Sequence, residues 1–145
     1  MPTELGPRYE VFDPINPPQM LPEDHPIWHK FRQIFGEIFT GFYYSVKVGG
    51  QDIQDPGIPE NIRKSWYYST AKRIDVVGET KDEVWIIEVA ANPGLRAVGQ
   101  IVTYASLWAL DPKINKKAVS AIVVDTMEQD LRFACMVQGV RVMEI

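Results

Sequence analysis

Hydrophobic positions fall into blocks along this chain, and the spacing within each block predicts an element. Ile27, Phe31, Ile34, Phe35 and Ile38 recur at helical intervals. They predict a first helix opening near residues 24–26, with Asp24 or His25 as cap and Pro26 in the first turn, and ending at Gly41. Residues 42–48 alternate Tyr43 and Ser45 against Tyr44 and Val46, a strand that Gly49-Gly50 breaks. Residues 51–60, with Asp55-Pro56-Gly57 and Pro59, read as a loop, and residues 61–64 as a helical turn. Residues 66–77 are predicted as one long strand through Trp66, Tyr67, Tyr68, Ile74, Val76 and Val77, followed by a polar turn at 79–83. Residues 84–91 are apolar nearly throughout, as expected of a strand covered on both faces.

The second half of the chain reads as alternating helices and strands. Asn92-Pro93 is a helix start, and the helix runs to about Leu110 with Leu95, Val98, Ile101, Val102, Ala105 and Trp108 on its apolar face. Asp111-Pro112 stops it, and residues 113–117 form an exposed basic loop. Residues 118–124 are a buried strand of the parallel-sheet kind. Thr126 and Gln129 are spaced as a capping box for a helix burying Leu131, Cys135 and Met136 or Val137, ended by Gly139. Residues 140–145 form a last strand with Arg141 and Glu144 outward. The predicted class is α/β, with helices flanking a mixed sheet.

Residues 1–26 share none of this periodicity. They hold seven of the eleven prolines, which favour extended chain without backbone donors. We therefore divide the chain into a proline-rich extended arm, 1–26, and one α/β domain, 27–145. Tyr9, Val11, Phe12, Ile15, Met20 and Leu21 give the arm apolar groups to bury, and the expected recipient is a protein partner within an oligomer or larger assembly. The charge is lopsided as well. Residues 1–27 carry the whole net charge of −4, and the rest balances. A neutral body argues against strong non-specific DNA binding but leaves room for a local basic patch. No apolar run approaches the roughly 18 residues that span a bilayer. No basic region precedes an apolar one at the N-terminus, so the expectation is a protein that is not secreted by a signal peptide and has no membrane partner. The single cysteine, Cys135, excludes an internal disulfide and lies in a helical apolar pattern, which reads as a core thiol.

Chemistry concentrates in residues 73–104. A two-residue loop at Lys81-Asp82, with Thr80 facing Glu83, sets Asp75 opposite Glu88 and Arg73 opposite Ala90, on one face of the sheet. Two facing carboxylates repel unless a cation lies between them, and a divalent metal such as Mg²⁺ is the usual resident. Glu88 interrupts an otherwise apolar run, an expensive place for an unpartnered acid. Gln100 and Tyr104, four apart on the next helix, point the same way. Arg63, Lys64, Lys72 and Arg73 surround Trp66, Tyr67 and Tyr68, which read either as core and sheet surface or as charge and stacking surface for a nucleic-acid strand. His25 and His29 lie four apart at a helix start, where capping and packing account for them.

This stretch resembles the PD-(D/E)XK nuclease superfamily, on Asp75, Glu88 and the Q-x-x-x-Y pattern of Gln100 and Tyr104 found in its RecB-like members. The resemblance spans roughly residues 27–145 by element order. It implies an αβββαβ restriction-endonuclease-like core, metal held by Asp75 and Glu88 with Glu37 of the first helix as an extra ligand, and Gln100 and Tyr104 facing the metal or substrate backbone. Ala90 stands where the family has its lysine. Arg73 is placed to fill that space, either as an ion-pair partner that silences the acids or, with Lys72 or Arg96, as a cation supporting cleavage.

Three functions follow. The first is a catalytically degenerate nuclease-like module serving as a structural or binding subunit, a virion or phage connector component being one case. The second is a Mg²⁺-dependent nuclease acting on DNA, with Asp75, Glu88, Arg73, Gln100 and Tyr104 at the catalytic site and Lys64, Lys72 and Arg96 on nucleic acid. The third is a small α/β adaptor in which Asp75 and Glu88 pair with Arg73 and Lys72. The corresponding location is the cytoplasm or an assembled virion.

Overall fold

A computed structural model describes residues 3–145. Six strands form one mixed sheet in chain order: β1 (Arg8–Tyr9), β2 (Phe39–Val48), β3 (Lys72–Thr80), β4 (Glu83–Ala90), β5 (Lys117–Val124) and β6 (Val140–Glu144). Four helices flank it: α1 (His25–Phe35), α2 (Glu60–Thr70), α3 (Leu95–Leu110) and α4 (Gln129–Val137). β1 to β4 pair antiparallel, while β4–β5 and β5–β6 are parallel. The change of direction follows from the connections. Lys81-Asp82 is long enough only for a hairpin, whereas α3 and α4 supply the crossovers that parallel neighbours need.

Two apolar layers sandwich the sheet. Val46, Val48, Ile74, Val84, Ile86 and Ile122 pack with Ile101, Tyr104 and Trp108 of α3 and with Leu131 and Cys135 of α4. On the other face Phe42, Tyr44, Val76, Trp85, Ile87 and Val89 pack with Ile27, Trp28 and Phe31 of α1. β4 lies mid-sheet between these layers, which is why its sequence is apolar nearly throughout. Its alternation puts Ile86 in the α3 layer and Ile87 and Val89 in the α1 layer, so Glu88 falls on the α3 face.

Several elements differ from their sequence reading. Trp66, Tyr67 and Tyr68 belong to α2, not to a strand, and β3 begins only at Lys72. Their aromatic bulk mimics a strand, but only Tyr67 is buried on this helix, and the alternation expected of a strand is absent. The first helix stops at Phe35, a 3₁₀ turn spans Gly36–Ile38, and Gly41 lies inside β2, where the Arg8 side chain crosses its bare Cα. Ile34 and Ile38 are exposed; the buried face of α1 is Ile27, Trp28, Phe31 and Arg32. Asn92 takes a left-handed backbone (φ 41°), and α3 opens at Leu95 with Gly94 as its N-cap. Leu95 is consequently exposed. Thr126 and Gln129 form no capping box; Glu128 occupies the N-cap of α4, and Met136 and Val137 face outward.

The proline-rich segment packs on its own chain. The Thr3 backbone N–H donates to Asp111 Oδ2 (2.9 Å), and Glu4 bridges Lys47. β1 extends the sheet beside β2, and Val11 and Met20 enter the α1-side layer. The buried Arg32 guanidinium donates to the carbonyls of Val11 and Asp13. The apolar groups expected to need a partner thus find cover on the body, apart from Phe12 and Leu21, which stay exposed. Arg32 fits the α1 stripe for the same reason: it satisfies arm carbonyls that proline-rich chain cannot pair in a ladder. Among the described residues no helix is long and apolar enough to cross a membrane.

Candidate metal and phosphate site

The β3–β4 hairpin pairs Val76 with Ile87, Val77 with Ile86, Gly78 with Trp85 and Glu79 with Val84. This is the register that a two-residue loop dictates, and continued one step it sets Asp75 opposite Glu88. The Thr80 hydroxyl locks the loop, accepting the Glu83 backbone N–H at 2.9 Å. At the far end the Asp75 carboxylate leans onto β4, where Oδ2 accepts the Val89 N–H at 3.0 Å.

The two acids sit in a cleft of about 460 Å³. Arg73, Arg96, Gln100 and Tyr104 line it with them, and so does Ala90. Pro17, Gln19, Met20 and Leu21 of the N-terminal segment and Asp24 line it too. Glu88 is only 8% exposed, and its Oε2 has no hydrogen-bond partner. Burial holds both carboxyl groups above the ordinary range. For Glu88 the nearby Asp75 charge raises it further, with Arg96 pulling the other way. Tyr104 is pushed up to about 12 by burial and then by the negative charge of Glu88 and Asp75, and Gln100 lines the cleft with it. The helix therefore presents glutamine and tyrosine to the acids, as their four-residue spacing predicts.

Arg73 forms no ion pair with either acid. The ion pairs among the described residues are Lys64–Glu60, Lys113–Asp111, Lys116–Glu79 and Arg132–Glu144, and neither Arg73 nor Arg96 lies within ion-pair distance of Asp75 or Glu88. Both arginines are exposed at the cleft, with their donors open to an anion.

Other predicted residues fall elsewhere. Glu37 lies in the 3₁₀ turn before Phe39, which pairs with Thr80 at the hairpin end of β3. That is the far end of the strand from Asp75, so Glu37 cannot be a shared ligand. Lys64 is on α2, bound to Glu60 at 3.3 Å, and does not line the cleft. Lys72 caps its own neighbourhood, donating to the Thr70 carbonyl at 2.9 Å.

Asp24 and Ser45 are among the cleft residues that sequence reasoning missed. Asp24 was legible only as a helix cap, but its carboxylate does not cap α1. It reaches across to accept the Ala91 N–H at 3.0 Å, buried at the end of β4. Its own carboxyl is raised, first by burial. Ser45, on β2, also lines the cleft; nothing in an alternating strand marks it.

The donor set suits a hard cation. Asp75 and Glu88 offer carboxylate oxygens, one of them unpartnered, and Mg²⁺ typically takes one or two carboxylates and keeps several waters. Among the described residues no three His, Cys, Asp or Glu come together as a ligand cluster; Asp24 also lines the cleft but is held on the Ala91 N–H, and Asp75 and Glu88 are the facing carboxylates. Comparison with protein families, characterised proteins and solved structures returns no match.

Proposed function

We propose that the protein is a PD-(D/E)XK-like module that binds a divalent cation and nucleic-acid phosphate at the Asp75–Glu88 cleft and is catalytically impaired by Ala90. The observation that carries this reading is the Glu88 carboxyl. It is buried beside a second acid with one oxygen unpartnered and no protein cation in contact. An arrangement that costs stability in the free protein is accounted for by a ligand that removes the cost. The order α1-β2-β3-β4-α3-β5, with α2 inserted before β3, agrees with an αβββαβ nuclease-like core.

A bound Mg²⁺ would supply positive charge to a phosphate in the cleft. The chain's own residues do the rest. Asp75 and Glu88 hold the cation, and Val89 fixes Asp75 through its backbone N–H. Gln100 and Tyr104 form the helix wall, and Arg73 and Arg96 offer guanidinium donors to the anion. Neither arginine is a general base of the kind the lysine position provides, because an arginine does not give up its proton.

Calorimetric titration with Mg²⁺ and Mn²⁺ tests the reading: the wild type should bind and Asp75→Ala should not. A plasmid-nicking assay then separates its catalytic half. Weak or absent cutting by the wild type, with Ala90→Lys raising it, is the expected result. Robust cutting by the wild type, abolished in Asp75→Ala and Glu88→Ala, would favour an active nuclease in which Arg73 or Arg96 replaces the lysine. A wild type that takes up no metal would leave the α/β adaptor. Service as a subunit of a larger assembly stays compatible with this proposal, with Phe12 and Leu21 as the apolar groups still open on the arm.

A further inference from the structure

Ser45 is the one non-glycine strand residue among those described with a left-handed backbone (φ 53°). It sits in the middle of β2, between the pairs Tyr44–Val76 and Val46–Ile74, which brackets it directly across from Asp75. The sheet changes face at this step. Tyr44 and Val76 pack into the α1-side layer, while Val46 and Ile74, two residues along each strand, pack into the α3-side layer. A regular strand would keep residues two apart on one face. The irregularity puts a serine at the cleft: Ser45 is one of its lining residues, and its Oγ is buried behind that wall with no hydrogen-bond partner.

Glycine adopts this backbone without strain, and serine does not. A position that keeps a strained side chain whose only polar atom is unsatisfied is explained by a ligand for that atom. Asp75, the nearest acid by register, does not take it, since its Oδ2 is held by Val89 and Ser45 Oγ has no partner. A serine hydroxyl is neutral and is a weak choice for a cation already offered two carboxylates. As a donor beside the open guanidinium groups of Arg73 and Arg96, it suits an anion.

Resting on the nuclease-like reading above, we propose that Ser45 is a substrate-binding residue of this cleft, its hydroxyl donating a hydrogen bond to a non-bridging phosphate oxygen of the nucleic-acid strand beside the Asp75–Glu88 pair. Two variants test this. Ser45→Ala removes the hydroxyl and keeps the strain; Ser45→Gly removes both. Binding of a fluorescent DNA duplex is followed by anisotropy in Ca²⁺, a hard cation with the same preference for oxygen. Ca²⁺ uptake and melting temperature are measured separately. Both variants should lose roughly tenfold in duplex affinity, the scale of one hydrogen bond to a charged group. Both should keep Ca²⁺ affinity, and Ser45→Gly should melt above the wild type. Duplex affinity unchanged in both variants, with Ca²⁺ still bound, would overturn the role of Ser45 and leave the metal site standing. A wild type that binds neither Ca²⁺ nor duplex would overturn the nuclease-like reading, and this proposal with it.

Discussion

At the scale of single residues, the protonation of Glu88 and Asp75 is the property most open to measurement. Both carboxyl groups are raised, chiefly by burial, so the native protein holds protons that the unfolded chain releases in the ordinary carboxylate range. The metal-free protein should therefore be most stable at acid pH on this account, and should lose stability as pH rises from about 4 upward through the raised values. Glu88→Gln removes the chargeable group while keeping its shape, and should flatten that decline in melting temperature against pH. The same substitution should abolish stabilisation by Mg²⁺. Metal uptake needs the carboxylates ionised, so wild-type affinity for Mg²⁺ should rise with pH and binding should release protons. Titration in buffers of different ionisation enthalpy reads that release directly. A pH-independent affinity would mean that the acids are already charged in the free protein.

At the scale of elements, the N-terminal segment is a built part of the domain. Arg32 on α1 holds the carbonyls of Val11 and Asp13, and its Nη2 donates to His29 Nδ1. An arginine only donates, so that histidine nitrogen accepts, and Nε2 must carry the hydrogen it shares with Asn16 Oδ1 at 2.5 Å. His29 is thereby held neutral, and its pKa is lowered by burial and by the charges of Arg32 and His25. Acidification below the ordinary histidine range should put a proton on Nδ1, break the contact with Arg32 and loosen residues 13–21. The protection of amides in that segment, relative to their intrinsic exchange rates, should fall as pH drops below the ordinary histidine range in the wild type and stay constant in His29→Gln. Arg32→Ala strands buried carbonyls and should cost about 2–4 kcal/mol of stability, measured by denaturant unfolding. Removing residues 1–21 uncovers the α1-side layer that Val11 and Met20 help close, so the truncated domain should bind a hydrophobic dye and melt earlier, rather than behave as an intact body that has lost a tether.

At the scale of the whole molecule, stability rests on one sheet with an apolar layer on each face. Trp28 anchors one layer, stacked on Phe31 and edge-on to Phe42, and Trp108 anchors the other. Both are almost fully buried. Trp28→Ala and Trp108→Ala should each cost about 3–5 kcal/mol, and unfolding should remain a single transition in each because β4 belongs to both layers. Two separate transitions would show that the faces fold independently. Much of this was legible in the chain. The apolar run of residues 84–91 announces a strand buried on both sides, the brevity of Lys81-Asp82 fixes the hairpin register, and that register alone brings Asp75 to Glu88. Four-residue spacing puts Gln100 and Tyr104 on one helix face. These features depend on neighbours in sequence, where turn length and side-chain period leave little choice. The strand reading of Trp66–Tyr68, the bonding of Asp24 to β4, the distance of Glu37 from the acids and the inversion at Ser45 depend instead on what packs against each residue. Aromatic content does not say whether a sheet neighbour is present, and an acid before a helix does not say whether its carboxylate turns back to cap or outward to another strand. The sequence by itself determined which acids face each other, because strand pairing is local geometry. Only the tertiary structure decided which other groups share their cleft, because those come from segments far apart in the chain and meet through burial.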